Sequence, residues 1–464
     1  MQITSWQDFA GAKVALLGSA LENTSLIPHL LRHGAEVTVC EWNEDRANRI
    51  KETFPKVNLS IGEKYLHGLD RFDLLFRSPG FPVNTVEKAL VNLKPPPSVS
   101  SATDLFLALT KSVVIGVTGS KGKGTTSTMI GSILEATGKK VVVAGNIGRP
   151  IFDIFNDLTK DTVVVLELSS FQLEDLRHSP NVAVVLAITE NDHLQPLSAD
   201  SPNFHASVND YVAAKAHITL FQTASNHLVY VADNDYAISI AQVSKSQKTS
   251  VSQSSKDADF FVDQKGIVWT NGKELVNLSK LGLLGQHVFL NTTVAVAVSK
   301  ILNCREVDIV QGIVNFRPLP HRLEQFAEIN GVKYVDDSYA TAPEAAIAAI
   351  GTFTDPMVWI AGGSSKGASF DELARVVANS SVKKAILIGD EAPRIQESLS
   401  HFAQRIAVDT PKTLAEAVRQ AKNSAKSGDV VLLSPACASK DMFQNAADRG
   451  DQFKHLVTNA TKSD

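Results

Sequence analysis

A glycine-rich segment, GVTGSKGKGTT at residues 116–126, constrains the fold of this chain more than any other feature. The apolar residues 113–117 before it predict a strand, and residues 125–136 after it predict a helix. Glycines between a strand and a helix N-terminus let backbone N–H groups approach phosphate oxygens closely. The sequence therefore predicts a nucleotide-binding α/β unit here.

The spacing of this loop differs from the common GxxxxGK[ST] pattern. Counting back from Gly122 and Lys123, the expected first glycine position holds Val117. Lys123 is expected to contact the β- and γ-phosphates. A hydroxyl residue normally follows this lysine and binds Mg²⁺, but Gly124 stands there, so Thr125 is the expected ligand. The alternative is a glycine-rich turn that caps a helix and binds no nucleotide.

Apolar runs predict three α/β blocks in series. The first block has runs at residues 13–18 and 36–40, and the segment 95–100 (PPPSVS) is predicted to be a linker without regular structure. The second block has continuous apolar runs, which are typical of parallel strands buried on both faces. These runs cover residues 113–117, 141–144, 162–168 and 182–188. The third block again alternates apolar strand runs with helical segments, and its runs cover residues 358–361, 385–389 and 430–433.

Residues 257–279 alternate in polarity and turn at Thr270-Asn271-Gly272. This pattern predicts antiparallel strands attached to the main sheet. We expect three α/β domains: a Rossmann-like N-terminal domain, a central P-loop ATPase domain with a mostly parallel sheet, and a Rossmann-like C-terminal domain. The expected boundaries are 1–98, 99–315 and 316–464.

Composition excludes several classes of protein. Of 464 residues, 44% are hydrophobic and 20% charged, and the net charge of −4 does not suggest a nucleic-acid partner. The cysteines, Cys40, Cys304 and Cys437, are too far apart to indicate a disulfide framework or a CxxC metal site. We find no signal peptide and no apolar run near the ~20 residues of a membrane span. We expect a cytoplasmic monomer with no membrane partner.

Three residues are candidates for metal chemistry. Glu167 ends a predicted buried strand, where a carboxylate could hold Mg²⁺ beside the loop or simply face solvent. His193 follows the next strand and is either a metal ligand, a residue supporting one, or polar surface. Lys215 would by default be an ordinary helical lysine. A CO₂-derived carbamate would reverse its charge and make it a ligand, which the sequence leaves open.

These motifs, taken with several others in order, resemble the Mur ligase family over essentially the whole chain. The motifs are GVTGSKGKGTT, GNIGRPI (145–151), LELSSFQLE (166–174), TENDH (189–193), AAK (213–215), GQHVFLN (285–291), LPHRLE (319–324), VDDSYAT (335–341), GGSSKG (362–367) and SPACASKDMFQN (434–445). The resemblance implies an ATP-dependent ligase of peptidoglycan synthesis. It would add D-glutamate to UDP-N-acetylmuramoyl-L-alanine through an acyl phosphate, with the first domain holding UDP.

The resemblance also implies roles for individual positions. The implied catalytic residues are Lys123, His193, Lys215 and Arg322. The implied ATP-binding residues are Gly119, Ser120, Lys121, Gly122, Lys123, Gly124, Thr125, Thr126, Asn291, Arg322 and Asp337. The implied Mg²⁺ ligands are Thr125, Glu167, His193 and carbamylated Lys215. The implied substrate contacts are Ser78, Gly80, Asn146, Ser169, Gln172, Thr341, Lys366 and Ser439.

Some positions depart from the family pattern and keep alternatives open. Tyr339 and Ala342 replace a lysine and an asparagine of typical D-glutamate-adding members, so ligation of L-glutamate is one alternative. The sequence Lys123-Gly124-Thr125 is also found in folylpolyglutamate-type ligases, but those begin with the ATPase core and lack a UDP-type first domain. A non-catalytic nucleotide-binding regulator is a third reading.

Overall fold

The computed structural model of this chain has three β-sheets in its described residues. Helices lie in the connections between the strands. The structure describes residues 3–146, 149–190, 194, 203–283, 285–317, 320–365 and 368–459. The chain forms two compact units, one comprising Met1–Gly282 with His287–Phe316 and the other Leu283–Gln286 with Arg317–Asp464. The first two sheets belong to the first unit and the third sheet to the second unit.

The first sheet is fully parallel, in the order β3-β2-β1-β4-β5. Its strands are β1 (Lys13–Leu17), β2 (Glu36–Glu41), β3 (Asn58–Ile61), β4 (Leu74–Arg77) and β5 (Ser98–Ser100). The helices are α1 (Leu21–Arg32), α2 (Glu44–Thr53), α3 (Val83–Leu90) and, leading to the second sheet, α4 (Ala102–Leu109). The strand order reverses between β1 and β4, and ligands of open α/β sheets bind in the crevice at such a point.

The prediction that residues 95–100 form a linker without regular structure is wrong in its second half. Ser98–Ser100 form β5 and pair with β4 at the sheet edge. Prolines cannot donate ladder hydrogen bonds, but the strand begins immediately after the last proline.

The second sheet has nine strands, in the order β14-β13-β12-β11-β10-β9-β6-β8-β7. They are β6 (Val113–Thr118), β7 (Lys140–Gly145), β8 (Thr162–Glu167), β9 (Val182–Val185), β10 (His227–Val231), β11 (Gln247–Ser252), β12 (Phe260–Val262), β13 (Ile267–Thr270) and β14 (Lys273–Asn277). The helices are α5 (Lys123–Ala136), α6 (Ile151–Ile154), α7 (Ser170–Leu173), α8 (Val208–Leu220), α9 (Asp235–Val243), α10 (Gln286–Ile301) and α11 (Glu306–Asn315).

The strand predictions for this sheet are confirmed. Every residue of β8 and β9 is buried, as expected for parallel strands covered on both faces. The antiparallel strands predicted within 257–279 are β12, β13 and β14, joined to the parallel part through β11. Asn271 (φ 49°) and Gly272 (φ 71°) turn the last hairpin, since both can adopt a positive φ.

The third sheet runs in the order β15-β16-β20-β17-β18-β19. Its strands are β15 (Glu324–Ile329), β16 (Val332–Asp336), β17 (Met357–Gly362), β18 (Val382–Ile388), β19 (Ala407–Asp409) and β20 (Val430–Leu433). The helices are α12 (Pro343–Ile350), α13 (Asp371–Ala378), α14 (Ala392–Phe402), α15 (Leu414–Ser424) and α16 (Ala446–Asn459). The predicted runs correspond to β17, β18 and β20.

Short 3-10 helices complete the described secondary structure, at Trp6–Phe9, Gly62–Lys64, Leu69–Arg71, Phe155–Asp157 and Ser279–Leu281. None of the helices in the described ranges is both long enough and apolar enough to cross a bilayer.

Candidate active site

The glycine-rich loop joins β6 to α5, as the sequence predicts. Two of its glycines are required by their surroundings. Gly119 has a φ of 146°, and a Cβ there would lie 2.6 Å from the Cβ of Leu186. Gly122 has a φ of 83°, and a Cβ there would lie 2.6 Å from Asn291 Oδ1. The loop therefore packs closely against two neighbouring segments at positions where only glycine fits.

Lys123 begins α5 and folds back over the loop. Its ammonium Nζ donates hydrogen bonds to the carbonyl oxygens of Gly119 (3.0 Å) and Ser120 (2.9 Å). These bonds hold a positive charge at the N-terminus of a helix, where the helix dipole is also positive. The arrangement suits an anionic ligand such as phosphate.

Lys215 differs from an ordinary helical lysine of the surface, because its side chain is only 1% exposed. Its Nζ donates to Thr118 Oγ1 (3.3 Å) and Gly119 O (3.0 Å) and lies 4.5 Å from the centre of the Tyr211 ring. The Tyr211 hydroxyl in turn lies 3.0 Å from Ser120 Oγ. The structure thus brings Lys215 to the carboxyl end of β6, beside the loop.

Glu167 is the last residue of β8, and β8 lies next to β6 in the sheet, with Glu167 opposite Val117. Its side chain is 4% exposed, so the alternative of a strand-end glutamate facing solvent is wrong. Asn146 donates from its side-chain amide to Glu167 Oε1 (2.8 Å) and from its backbone N–H to Glu167 O (2.9 Å). Two of the expected site residues are therefore in direct contact.

The described donors near the loop fit Mg²⁺. A buried carboxylate on Glu167 and the hydroxyl of Thr125 are oxygen ligands of the kind that Mg²⁺ prefers. The neighbouring Thr126 Oγ1 is buried and has no hydrogen-bond partner among the described residues. As an ammonium Lys215 would repel a cation, so it fits a ligand role only as a carbamate. The expected ligand His193 lies outside the described residues.

Asn291, expected to contact ATP, lies on α10 with its side chain against Gly122. The remaining loop residues named from the sequence, Lys121 and Gly124, flank Lys123 at the start of α5. The structure therefore places Asn291, an expected ATP contact from a distant part of the chain, directly against the glycine-rich loop.

The expected muramoyl contacts near α7 form a local cap. Ser169 Oγ accepts from Gln172 N (3.3 Å), and Gln172 Oε1 accepts from Ser169 N (2.7 Å). Gln172 Nε2 also donates to the Glu22 carboxylate of α1. Burial raises the pKa of Glu22. Gln172 is itself buried, so its amide fastens α7 to α1, while Ser169 stays half-buried.

The expected UDP-binding residues Ser78 and Gly80 lie in the turn after β4. Ser78 is buried and Gly80 exposed. This turn follows the strand at the reversal point of the first sheet, which is where a ligand of such a sheet is expected.

In the second unit, Arg322 is exposed and its guanidinium carbon lies 5.3 Å from the centre of the Tyr339 ring. Asp337 is buried and accepts hydrogen bonds from Ser434 Oγ (2.8 Å) and Leu323 N (3.2 Å). Burial raises the pKa of Asp337 to about 7. The backbone N–H of Leu323, the residue after Arg322, is thus hydrogen-bonded to the carboxylate of Asp337.

Of the expected amino-acid contacts, Thr341 is half-buried, and its backbone N–H donates to Tyr339 O (2.9 Å). Ser439 is buried after β20. Lys366 lies outside the described residues.

Sequence reasoning named Arg322 but missed the residues that shape its loop. His321 (φ 63°) and Leu323 (φ 46°) both adopt left-handed backbone, which is strained for residues other than glycine. His321 Nδ1 lies 2.7 Å from Asp336 Oδ2, and its backbone N–H donates to Glu324 Oε2 (2.8 Å). The LPHRLE motif contains both His321 and Glu324, so the motif could have indicated that these residues shape the loop of Arg322.

The side chains of His321, Glu324 and Asp336 are close enough together to hold a metal ion. However, the Lys454 ammonium pairs with Glu324 and lies 3.8 Å from Asp336 Oδ2. A fixed cation in that position opposes a divalent ion, so the cluster is an ion-pair network that supports the Arg322 loop.

Comparisons with known proteins identify the family of this chain. The model of the Mur ligase middle domain matches residues 117–299, and that of the Mur ligase, glutamate ligase domain matches residues 321–437. A UDP-N-acetylmuramoylalanine--D-glutamate ligase from Symbiobacterium thermophilum is 36% identical over 96% of this chain and 97% of its own length. The chain belongs to the Mur ligase family.

A second Mur ligase of the same name, from Acetivibrio thermocellus, is 37% identical and covers 96% of each chain. Among solved structures, MurF from Acinetobacter baumannii has a TM-score of 0.60 at 18% identity, covering 98% of this chain and 92% of its own. At that identity the match shows the shared fold alone. This Mur ligase is an ATP-dependent acid–amino-acid ligase that acts in peptidoglycan synthesis.

Proposed function

We propose that this Mur ligase joins D-glutamate to the carboxylate of UDP-N-acetylmuramoyl-L-alanine and converts ATP to ADP and phosphate. The relatives with 36% and 37% identity carry that activity in their names. The observation that carries the proposal is the convergence of Lys123, Lys215 and Glu167 at the carboxyl ends of β6 and β8. In this proposal, residues 1–98 hold UDP, residues 99–315 hold ATP, and residues 316–464 hold the amino acid.

The first step forms an acyl phosphate. An alanine carboxylate oxygen attacks the γ-phosphorus of ATP, and the bond to the β–γ bridging oxygen breaks to release ADP. Carboxylate and triphosphate repel each other, so the enzyme must supply positive charge where they meet. We assign this role to Lys123 of the glycine-rich loop, and the family resemblance implies a second cation, Arg322. Mg²⁺ held by Glu167 and Thr125 would add further charge neutralisation.

The second step forms the amide. The amine of glutamate attacks the carbonyl carbon, phosphate leaves with the bonding electrons, and His193 or a neighbouring base accepts the proton that the amine loses. Bound geometry provides much of the rate in such reactions, with effective molarities that reach ~10⁵ M or more. By the family resemblance, Lys366 and Ser439 hold the glutamate.

Two other ligations are less well supported. L-Glutamate as acceptor remains the nearest alternative, because Tyr339 and Ala342 depart from the D-glutamate pattern. A folylpolyglutamate-type reaction is disfavoured, because β1–β5 form a complete additional sheet that the ATPase core of that class does not require.

The test is phosphate release by the purified chain. We expect release only when ATP, Mg²⁺, UDP-N-acetylmuramoyl-L-alanine and D-glutamate are all present, with L-glutamate as the matched comparison. Faster release with L-glutamate would overturn the stereochemical assignment. Absence of release with either isomer would overturn the ligase assignment for this substrate.

A further inference from the structure

Arg77 is the last residue of β4 and precedes the Ser78–Gly80 turn. Its side chain is 1% exposed. Its Nη1 donates to the carbonyl oxygen of Phe81 at 2.7 Å and, more weakly, to those of Ser78 and Pro79 at 3.4 Å. One nitrogen of the guanidinium thus donates to three carbonyl oxygens in and just after the turn.

The other edge of the same guanidinium binds the segment around α7. Nη2 donates to Phe171 O (2.7 Å) and lies 3.1 Å from Glu174 Oε2, and Nε pairs with the Asp175 carboxylate. Arg77 therefore joins the turn after β4 of the first sheet to residues 171–175, in and just after α7, which follows β8 of the second sheet. Only a planar fork with five donors can satisfy both sides at once.

Arg77, Glu174 and Asp175 form a cluster in which carboxylates offset the positive charge of the guanidinium. A buried guanidinium is destabilising unless it is paired and hydrogen-bonded, and here the carboxylates of Glu174 and Asp175 flank it. Burial raises the pKa of Glu174 to about 7, although the Arg77 charge acts in the opposite direction. Glu174 Oε1 also lies 3.4 Å from His205 Nδ1, and His205 Nε2 lies 2.9 Å from Ser170 Oγ.

A second bond reinforces the same link. Asn203 Nδ2 donates to Pro79 O (2.7 Å), so the chain before α8 also holds the turn. His205, two residues later, stacks on Phe171 with 4.8 Å between ring centres. The Ser78–Gly80 turn is therefore fixed against α7 by contacts from both Arg77 and the segment 203–205.

We propose that Arg77 is a positioning residue for the UDP-linked substrate. By joining the Ser78–Gly80 turn to α7, it sets the separation between the groups that hold the nucleotide and those that hold the muramoyl part. The inference rests on the proposed function, since it needs a substrate that spans both segments. Such sites must hold their geometry within about 0.5 Å, and a small misplacement lowers binding or rate steeply.

The test compares Arg77→Lys with Arg405→Lys. Lysine keeps the charge at position 77 but cannot bond the turn and α7 together. Arg405 is the control for loss of guanidinium–carbonyl bonds elsewhere in the chain, because this exposed arginine also binds several backbone carbonyls, those of Val377, Ala378, Ser380 and Val382. The measurements are KM for UDP-N-acetylmuramoyl-L-alanine, KM for ATP, kcat, Tm, and calorimetric binding of the UDP-linked substrate without ATP.

For Arg77→Lys we expect KM and Kd for the UDP-linked substrate to rise on the order of 10-fold, with KM for ATP unchanged. Arg405→Lys is expected to leave all these constants unchanged. A purely structural role would lower Tm and the active fraction, hence kcat, without moving KM, and that result overturns the inference. If wild type itself fails to bind the UDP-linked substrate, the proposed function falls instead.

Asp175→Asn provides a second variant in case Arg77→Lys does not fold. It keeps the shape of the side chain and weakens one side of the link. We expect a smaller rise in KM for the UDP-linked substrate in the same direction, and an unchanged KM would overturn the inference.

Discussion

The side-chain amide of Asn146 donates a 2.8 Å hydrogen bond to Glu167 Oε1, and the backbone N–H of Asn146 donates to the carbonyl oxygen of the same residue. The contact joins the ends of two neighbouring strands, β7 and β8. A carboxylate held in this way has one oxygen oriented by the protein, and its other oxygen can face a metal ion.

Asn146→Ala should therefore weaken Mg²⁺ binding. We expect the Mg²⁺ concentration for half-maximal activity to rise about 10–100-fold, the usual effect of losing a group that orients a ligand. The measurement is a Mg²⁺ titration of phosphate release at saturating UDP-linked substrate, which separates this effect from any loss of substrate contact. Asn156→Ala, at an exposed position, is the control. An unchanged Mg²⁺ requirement would contradict the metal assignment to Glu167.

Lys123→Ala should lower kcat about 10²–10³-fold or more, because one cation that stabilises the charged transition state is lost. The fold should survive, since Lys123 is half-buried and its ammonium hydrogen-bonds to backbone carbonyls of its own loop, those of Gly119 and Ser120. Lys160→Ala, at an exposed lysine, controls for loss of positive charge. Retained activity with an unchanged Tm would show that the loop assignment is wrong.

Gly122→Ala should raise KM for ATP, whereas Gly138→Ala should not. The two glycines have nearly the same φ, 83° and 80°, so alanine costs each about 1–2 kcal/mol of stability. A Cβ at Gly122 would also meet the Asn291 side chain at 2.6 Å, while none of the described atoms lies within 4 Å of one at Gly138. Equal KM values for ATP in the two variants would contradict the placement of Asn291 at the ATP site.

Glu174→Gln should change how stability depends on pH. Burial raises the pKa of Glu174 from 4.5 to about 7, so between these pH values the folded chain holds a proton that the unfolded chain has lost. The free energy of unfolding therefore falls as pH rises through this window, by about 3 kcal/mol at most. Glutamine does not titrate, so the variant should lack this decline.

The measurement is urea unfolding of both proteins at pH 5 and pH 8. We expect the stability of Glu174→Gln relative to wild type to increase between these two values. A parallel pH dependence in both proteins would show that Glu174 does not titrate in this window.

The strands that the sequence predicted are those with strong local patterns. The apolar runs of β6, β8, β9 and β17 are continuous and bounded by glycine or polar residues, so periodicity identified them. β5 was missed because it is three residues long and directly follows prolines. The β15–β16 hairpin was missed because β15 is a half-exposed edge strand without a continuous apolar run.

Some features of the candidate site could likewise be predicted from the sequence, and others could not. The loop around Lys123 was predicted together with its flanking strand and helix, because all of its parts are adjacent in the sequence. The burial of Lys215 and its bond to Gly119 were not predictable, because they depend on how α8 packs beside β6. His193 and Lys366 stay predictions, since they lie outside the described residues.

The sequence by itself determined the phosphate loop, the parallel character of the strands beside it and, through its motifs, the family. The loop, each strand and each motif is a short run of adjacent residues. The conformation of such a run depends mainly on local sterics and on the periodicity of its apolar residues. Only the tertiary structure decided that Arg77 binds Asp175 and that Asn291 lies against Gly122, contacts that span 98 and more than 160 residues. The reason is that such contacts depend on the relative placement of whole elements, which packing of the two sheets and their helices sets.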